Sequence, residues 1–413
     1  MLGEIIAIGN ELTSGRIVNT TSGFAAHHLY EAGFNIYAMH TIGDSPELIG
    51  EALNRALKRV DFVLVTGGLG PTDDDLTTEA VSEALNRPTM PDLTILSRIR
   101  EHLNSHTEQS AGSLEKLAWL PEGAEALHPG SKIAGFQLVH DDKPIFFLPG
   151  IPHQMKSLLL KEVLPRLNSC YKGYQLSNVQ RIYKIFGRNE AEINREVKGL
   201  ALDDLVEIGY YPVFPDVHLS VTIRSEDKRA MNELAQSSFR LIENAFGPSI
   251  YGKDQDTMES VLGDLLLKNG KFFSAAESCT GGLISHLITS IAGSSSYYLG
   301  GITSYANSMK SSFLGVKETL LQEYGAVSHE VAEAMAEGMR RTSRSDIAIS
   351  VTGVAGPDGG SSEKPVGTVF VGMATEDGTE VRRFLFSGSR HEIQHMTAQT
   401  ALDLVRRSLL DNN

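Results

Sequence analysis

Apolar and polar positions follow two rhythms along this chain, and the switches between them mark out its elements. EIIAIG reads as a strand, NTTSGFAAHHLYEAG as a helix stopped by glycine, and FNIYAMHTIG as a strand again. PELIGEALNRALKRV (helix), DFVLVTGG (strand), DLTTEAVSEALN (helix), KPIFFLPG (strand) and HQMKSLLLKEVLPRL (helix) complete a first unit, residues 1–170. Helices of this length between apolar strands imply βαβ crossovers and a mostly parallel sheet. Ligands bind at the carboxyl ends of the strands in such sheets.

Residues 175–253 change character. RIYKIFG, NEAEINREVKGL, VEIGYYPVFPDVHLSVTIR and KRAMNELAQSSFRLIENAFG predict a strand, a helix, a strand pair and a helix, a small α+β unit. SIYGKDQDTM is polar and lacks periodicity, which puts a boundary near residue 253. From TMESVLGDLLLKNG the α/β alternation resumes through KFFSAAES, GGLISHLITSIAG, GGITSYA, SMKSSFLG, SHEVAEAMAEGMRR, DIAISVTG, GTVFVGMAT and EVRRFLFSG to a last helix around HMTAQTALDLVRRSLL. The fold class is therefore α/β: two α/β domains with mostly parallel sheets, 1–170 and 254–413, joined by an α+β connector at 175–253.

At 413 residues the chain is too long for one ordinary core. Its net charge of -14 argues against a general nucleic-acid binder, which needs clustered Lys and Arg. It leaves room for a small anionic ligand held by backbone N–H groups. MLGEIIAIGNEL has no basic segment ahead of its apolar run, and Glu4 interrupts that run, so it reads as a first strand and not a signal peptide. No apolar stretch approaches the roughly 18–20 residues that span a bilayer. Cys170 and Cys279 lie far apart, which excludes a disulfide framework. A cytoplasmic protein is expected.

The densest motif of the first unit is VLVTGGLGPTDDDLT, residues 63–77. A strand runs into Gly67, Gly68 and Gly70, which let backbone approach a ligand, and then into Asp73, Asp74 and Asp75. Glycine-rich backbone near a helix start suits phosphate, and clustered aspartates suit a hard divalent ion. The same acids would also serve as a plain helix cap on the positive dipole end. IGNELTSG and LPGIPHQM are similar strand ends. Together these segments resemble the molybdopterin-binding-like domain of the competence/damage-inducible family, CinA, whose Gly-Gly-x-Gly…Asp loop also occurs in molybdenum-cofactor biosynthesis proteins. The resemblance implies hydrolysis of ADP-ribose to AMP and ribose 5-phosphate, dependent on a divalent metal ion (Mg, Mn or Co). It assigns Asp74 and Asp75 to metal or phosphate and Gly67, Gly68, Gly70 and Thr72 to the loop, with Glu11 and Asn19 as further contacts. It also labels the middle unit KH-like. A KH domain clamps RNA with a GXXG loop, whereas Arg188, Asn189 and Glu190 follow Ile185-Phe186-Gly187 here, and Glu190, Glu192 and Glu196 line the next helix. A connector or dimerisation element is the expectation.

In the last unit, SAAESCTGGLIS (274–285) ends a strand at Ser278 and Cys279 and opens a helix with Gly281 and Gly282. The amides of Thr280, Gly281 and Gly282 are expected to be unpaired there, free to hold a phosphate or an oxyanion. Either neighbour is a candidate nucleophile, and either needs a base. His286 lies two turns along the helix and His329 sits in a capping segment. GGITSYANSMKSSFLG instead offers Tyr305 at a strand end and Lys310 near a helix start, where the dipole disfavours the ammonium form and burial adds to the effect. Ser–Lys pairs are a variant of the serine hydrolase arrangement, although a solvated surface lysine fits the same pattern. The Gly/Pro-rich loop after Thr352 and Gly353 reads as a pocket wall.

AESCTGG, TSYANSMK and SVTGVAGPDGGSSEKPVGTV resemble the CinA C-terminal domain, also found alone as nicotinamide-nucleotide amidase. The resemblance implies hydrolysis of nicotinamide mononucleotide to nicotinate mononucleotide and ammonia, with no metal or other cofactor. It gives Ser278, Tyr305 and Lys310 catalytic roles, Thr352 and Gly353 substrate or oxyanion contacts, and Arg390 a phosphate contact. A non-catalytic pterin- or nucleotide-binding protein linked to competence or DNA damage is the alternative. Small-molecule nucleotides are the expected partners and a homodimer the expected assembly, with no nucleic acid and no membrane.

Overall fold

In the first unit the strands are β1 (Leu2–Ile8), β2 (Asn35–Ile42), β3 (Phe62–Thr66), β4 (Thr89–Pro91), β5 (Trp119–Pro121), β6 (Glu125–Leu127), β7 (Gly135–His140) and β8 (Lys143–Leu148). β3 is an unbroken apolar run, FVLVT, with every residue buried, as a central strand covered on both faces requires. The six-stranded sheet runs β2-β1-β3-β8-β7-β6. Its pairings are parallel from β2 through β8 and antiparallel from β8 to β6. Side-chain alternation sends Val63 and Val65 to one core and Phe62 and Leu64 to the other. The helix Pro46–Leu57 shows why the flanking segments fold as predicted. Ser45 caps it by accepting from the Leu48 amide, proline occupies its first turn, and Ile49, Ala52, Leu53 and Ala56 form its buried stripe.

The structure, a computed structural model, describes residues 1–105, 114–127, 135–172 and 177–411. Two compact units emerge: residues 1–178 with 224–231, and residues 179–223 with 232–413. In the second unit β9 (Ser177–Ile185), β10 (Val206–Val213), β11 (Asp216–Ser225) and β12 (Ile250–Lys253) form a four-stranded sheet in the order β10-β11-β9-β12. β13 (Phe273–Glu277), β14 (Tyr298–Thr303), β15 (Ile347–Gly353), β16 (Thr368–Ala374) and β17 (Thr379–Leu385) form a five-stranded sheet in the order β14-β13-β15-β16-β17. Phe186 and Tyr251 of the smaller sheet pack into the same core as Phe273, Ile349 and Leu402.

The fold is α/β, with a small antiparallel domain in the stretch of chain between its two larger sheets, as expected; the first of those sheets is parallel in three of its five pairings, and the second is mixed. β13 pairs in parallel with β14 and β15, whereas β15–β16 and β16–β17 are antiparallel. The physical reason is the connection: only residues 375–378 separate β16 from β17, too few for a crossover helix. Among the described residues no helix is long and apolar enough to cross a membrane.

Candidate active sites

In the first unit the carboxyl ends of β1, β3 and β8 lie side by side and open into a cavity of about 300 Å³. Gly9, Glu11, Asp44, Gly67, Gly68, Gly70, Asp74, Asp75 and Gly150 are among its lining residues. Gly67 sits at φ 102°, and a Cβ there would lie 2.1 Å from the Ile8 carbonyl oxygen, so only glycine permits this approach of two strand ends. The Gly68, Leu69 and Gly70 amides make no hydrogen bond to the protein among the described residues. Consecutive free amides of this kind form an anion nest.

Opposite them stand carboxylates. The Thr72 amide donates to Asp75 Oδ2 at 3.0 Å and the Thr72 hydroxyl donates to the same oxygen, while Lys116 Nζ donates to the Asp75 carbonyl at 2.6 Å. Thr72, with Lys116 contributing, holds the Asp74 carboxyl below its ordinary range. Asp44, which the sequence reading missed, is pushed up by burial and by the negative charges of Glu11, Asp74 and Asp75, against the lowering effect of the Asn10 amide. Four acids lining one cavity, with the charges of the other three raising Asp44, suit a divalent cation, although among the described residues no three of their oxygens converge within 4.8 Å. Asn19 stands apart from the cavity. Its Oδ1 accepts from the Ser22 amide and its Nδ2 donates to Ser22 and Thr41 hydroxyls, so it is a helix cap and not a ligand contact in this arrangement.

In the second unit β13 delivers Ser278 to the centre of the sheet, where the Ser278 amide donates to the Val351 carbonyl at 3.0 Å. Lys310, 1% exposed, comes from the first turns of the helix Asn307–Leu314 and places Nζ 2.9 Å from Ser278 Oγ. The same nitrogen donates to the Ser304 carbonyl at 2.7 Å and the Tyr305 carbonyl at 3.2 Å. Burial lowers the Lys310 pKa from its ordinary value. In a neutral amine the two carbonyls take both N–H bonds, which leaves the lone pair facing the serine hydroxyl. Burial acts on Cys279 in the opposite sense and pushes its thiol up to about 12, so it stays protonated at neutral pH.

Three expectations change here. The Gly281 and Gly282 amides are not free: the first donates to the Ser278 carbonyl and the second to Glu277 Oε2 at 3.0 Å. Glu277, fully buried and unrecognised in the sequence, also accepts from the Thr280 hydroxyl, the Ile284 amide, and the amide and hydroxyl of Ser285. Its carboxylate fills the positive end of the helix Leu283–Thr289. The loop amides left without an oxygen acceptor among the described residues are those of Cys279 and Thr280. Tyr305 is 62% exposed; its carbonyl accepts from Lys310, while its phenol oxygen accepts from Arg390 at 3.1 Å. Thr352 directs its hydroxyl to the Ala326 carbonyl at 2.7 Å, and Gly353 packs against Val369, where a Cβ would lie 2.7 Å from Cγ2. Arg390 also donates to the Gly356 carbonyl at 2.7 Å, so it braces the rim from Tyr305 to the Gly/Pro-rich loop.

These arrangements can be set beside known proteins. Residues 4–169 match the probable molybdopterin binding domain, residues 180–252 the damage-inducible protein CinA KH domain, and residues 255–409 the CinA C-terminal domain. A CinA-like protein of Desulfotalea psychrophila is 56% identical over 409 residues, 99% of each chain. A putative competence-damage inducible protein of Moorella thermoacetica is 39% identical over 410 residues, again 99% of each. Among solved structures, a competence/damage inducible protein from Agrobacterium tumefaciens is 38% identical over 38% of this chain and 97% of its own, with a TM-score of 0.36. With the full-length identity to its relatives and the three matching domains, this chain belongs to the CinA family.

Proposed function

We propose that the C-terminal domain is a Ser–Lys amidohydrolase that converts nicotinamide mononucleotide to nicotinate mononucleotide and ammonia. One observation carries this reading: a buried lysine amine 2.9 Å from a buried serine hydroxyl, with two backbone carbonyls orienting its other bonds. Neutral Lys310 takes the Ser278 proton as Oγ bonds to the amide carbon. The oxyanion is assigned to the Cys279 and Thr280 amides, a single good donor being worth about 3–4 kcal/mol. The Lys310 ammonium returns its proton to the departing nitrogen, ammonia leaves, and an ester to Ser278 remains. Water, deprotonated by Lys310, attacks that ester, and Ser278 regains its proton as the acid departs. Tyr305 and Arg390, at the exposed rim, are positioned to meet the nicotinamide ring and the phosphate. Ammonia release from nicotinamide mononucleotide tests the assignment. Ser278→Ala should lose activity, Cys279→Ala should stay near the wild-type rate, and full activity in Ser278→Ala would sink the mechanism.

For the first domain we infer metal-dependent hydrolysis of ADP-ribose to AMP and ribose 5-phosphate. The free Gly68–Gly70 amides would hold phosphate, and Glu11, Asp44, Asp74 and Asp75 would hold a divalent ion, which supplies charge neutralisation when bound. ADP-ribose turnover should require added Mg²⁺, Mn²⁺ or Co²⁺ and fall sharply in Asp75→Ala. Turnover that survives chelation would remove this role for the acids. Pure ligand binding by this domain is the competing outcome, and it predicts nucleotide or pterin affinity without turnover.

A further inference from the structure

Away from both sites, the last turns of the helix Thr20–Glu31 gather His27, His28 and Glu31 so that one ligand atom of each lies within 4.8 Å of the others. Among the described residues this is the only such group of three His, Cys, Asp or Glu side chains. His27 Nε2 is 3.3 Å from Glu31 Oε1, and His28 Nδ1 is 2.9 Å from Glu31 Oε2. We propose that these three side chains form an accessory transition-metal site, of the Zn²⁺, Ni²⁺ or Cu²⁺ class, on the surface of the first domain.

The separations suit the chemistry. Metal–nitrogen and metal–oxygen bonds of about 2.0–2.2 Å in a tetrahedron put neighbouring ligand atoms roughly 3.3–3.5 Å apart. The two measured contacts are close to that edge before any metal enters. His27 and Glu31 are spaced i,i+4, so one helical turn sets their separation, and the 12-residue helix fixes the backbone beneath them. The His28 ring is held from behind by an edge contact with Phe24, centroids 4.4 Å apart. Two neutral imidazoles and one carboxylate are the ligands of borderline cations, unlike the all-oxygen cavity at the strand ends.

The site also answers a local electrostatic problem. Glu31 is the last residue of its helix, where the negative pole of the dipole disfavours a carboxylate. A divalent cation bound there offsets both the dipole and the carboxylate. Three protein ligands leave at least one position for water, so the ion would remain exchangeable.

The test uses the full chain, stripped with a chelator and titrated with Zn²⁺ by calorimetry, and with Cu²⁺ followed by electron paramagnetic resonance. Three other groups could take these ions and are removed or controlled: the strand-end carboxylates by Asp75→Ala and the exposed Cys170 thiol by Cys170→Ser, both throughout, and the His391–His395 ring pair by His391→Ala. Wild type should show a site whose Cu²⁺ spectrum carries nitrogen splitting. His27→Ala and Glu31→Gln should each weaken Zn²⁺ binding at least tenfold, and His391→Ala should leave it unchanged. The proposal is overturned if wild type binds no Zn²⁺, if the His27→Ala, His28→Ala double variant binds as wild type does, or if binding disappears in His391→Ala. His27 and Glu31 are exposed and His28 is half-buried, and circular dichroism of each variant separates lost ligands from a lost fold. Amidase or ADP-ribose turnover plays no part in the readout, so failure of this site leaves those readings untouched.

Discussion

Replacing Lys310 with methionine removes one nitrogen and keeps most of the side-chain volume, which makes it the sharpest perturbation of the proposed amidase site. Three hydrogen bonds go with it, to Ser278 Oγ, the Ser304 carbonyl and the Tyr305 carbonyl. Loss of a general base costs about 10²–10⁴ in rate, or roughly 3–5 kcal/mol of transition-state stabilisation. Two carbonyls stripped of a donor cost about 1–3 kcal/mol each, while the variant no longer buries an amine that water would prefer to protonate. The net stability change at one pH is therefore a difference of opposed terms. Its dependence on pH is not.

Burial depresses the folded-state pKa of Lys310 below the ordinary value of 10.5 that the unfolded chain retains. Between those two values the unfolded state binds the extra proton, so the lysine's contribution to stability rises with pH across that window. Below the folded pKa both states are protonated and the cost of burial is constant; above the unfolded pKa it vanishes. Methionine does not titrate. Denaturant unfolding of wild type and Lys310→Met should thus diverge in favour of wild type as pH climbs through the window. Wild-type kcat/KM for ammonia release should rise with pH and level off below 10.5, and Lys310→Met should lose at least a hundredfold on that plateau and less as pH falls below it. An activity loss under tenfold would refute the base assignment. A stability difference that is flat with pH would refute the depressed amine.

Three further outcomes follow from the same geometry. Glu277→Gln turns one acceptor oxygen into a donor amid five donors; it should destabilise by about 2–4 kcal/mol and lower amidase activity more than tenfold, read by melting temperature and ammonia release. Gly67→Ala forces a Cβ toward the Ile8 carbonyl at a left-handed φ; it should cost about 2–4 kcal/mol, and the loss should appear in ADP-ribose turnover while amidase activity persists. Arg390→Ala frees the Tyr305 phenol and removes a rim cation; it should raise KM for nicotinamide mononucleotide more than it lowers kcat, and an unchanged KM would remove the phosphate-contact role.

The strands that lead to Ser278 and Lys310 were legible because their apolar runs are short and bounded by glycine. AESCTGG and TSYANSMK could be paired in advance because a nucleophile needs a base and because both motifs resemble the same family domain. What escaped was decided by direction and depth. Glu277 looked like one more polar residue at a strand end, and only the three-dimensional course of the Gly281–Gly282 turn, both residues at positive φ, folds five donors onto it. Tyr305 was placed correctly along the chain, yet which of its oxygens faces Lys310 depends on the backbone turn before the helix. Asn19 is both a cap and a ligand type, and periodicity does not separate the two. The segment from β4 to β7 gave no reading because its strands β4, β5 and β6 are three residues each, shorter than any alternation can signal.

The choice between serine and cysteine rests on one environment acting with opposite signs. Cys279 belongs to the apolar cluster around Phe273, Ile349 and Val369, and Lys310 is buried on the neighbouring helix. Desolvation disfavours every charged form, so it raises the thiol and lowers the amine. The proton stays on sulfur at neutral pH, and the amine gives its proton up more readily than an exposed lysine would. A thiolate–ammonium pair, which a cysteine hydrolase would need, is the state this pocket penalises twice, whereas a neutral amine facing a neutral hydroxyl carries no charge until substrate arrives. Charge then develops only as Oγ attacks, beside the Cys279 and Thr280 amides, which have no oxygen acceptor among the described residues. The burial that keeps Cys279 protonated is thus the same condition that lowers the Lys310 pKa and suits it to the proposed base role, and any substitution that lets water reach the pair should relax both shifts together.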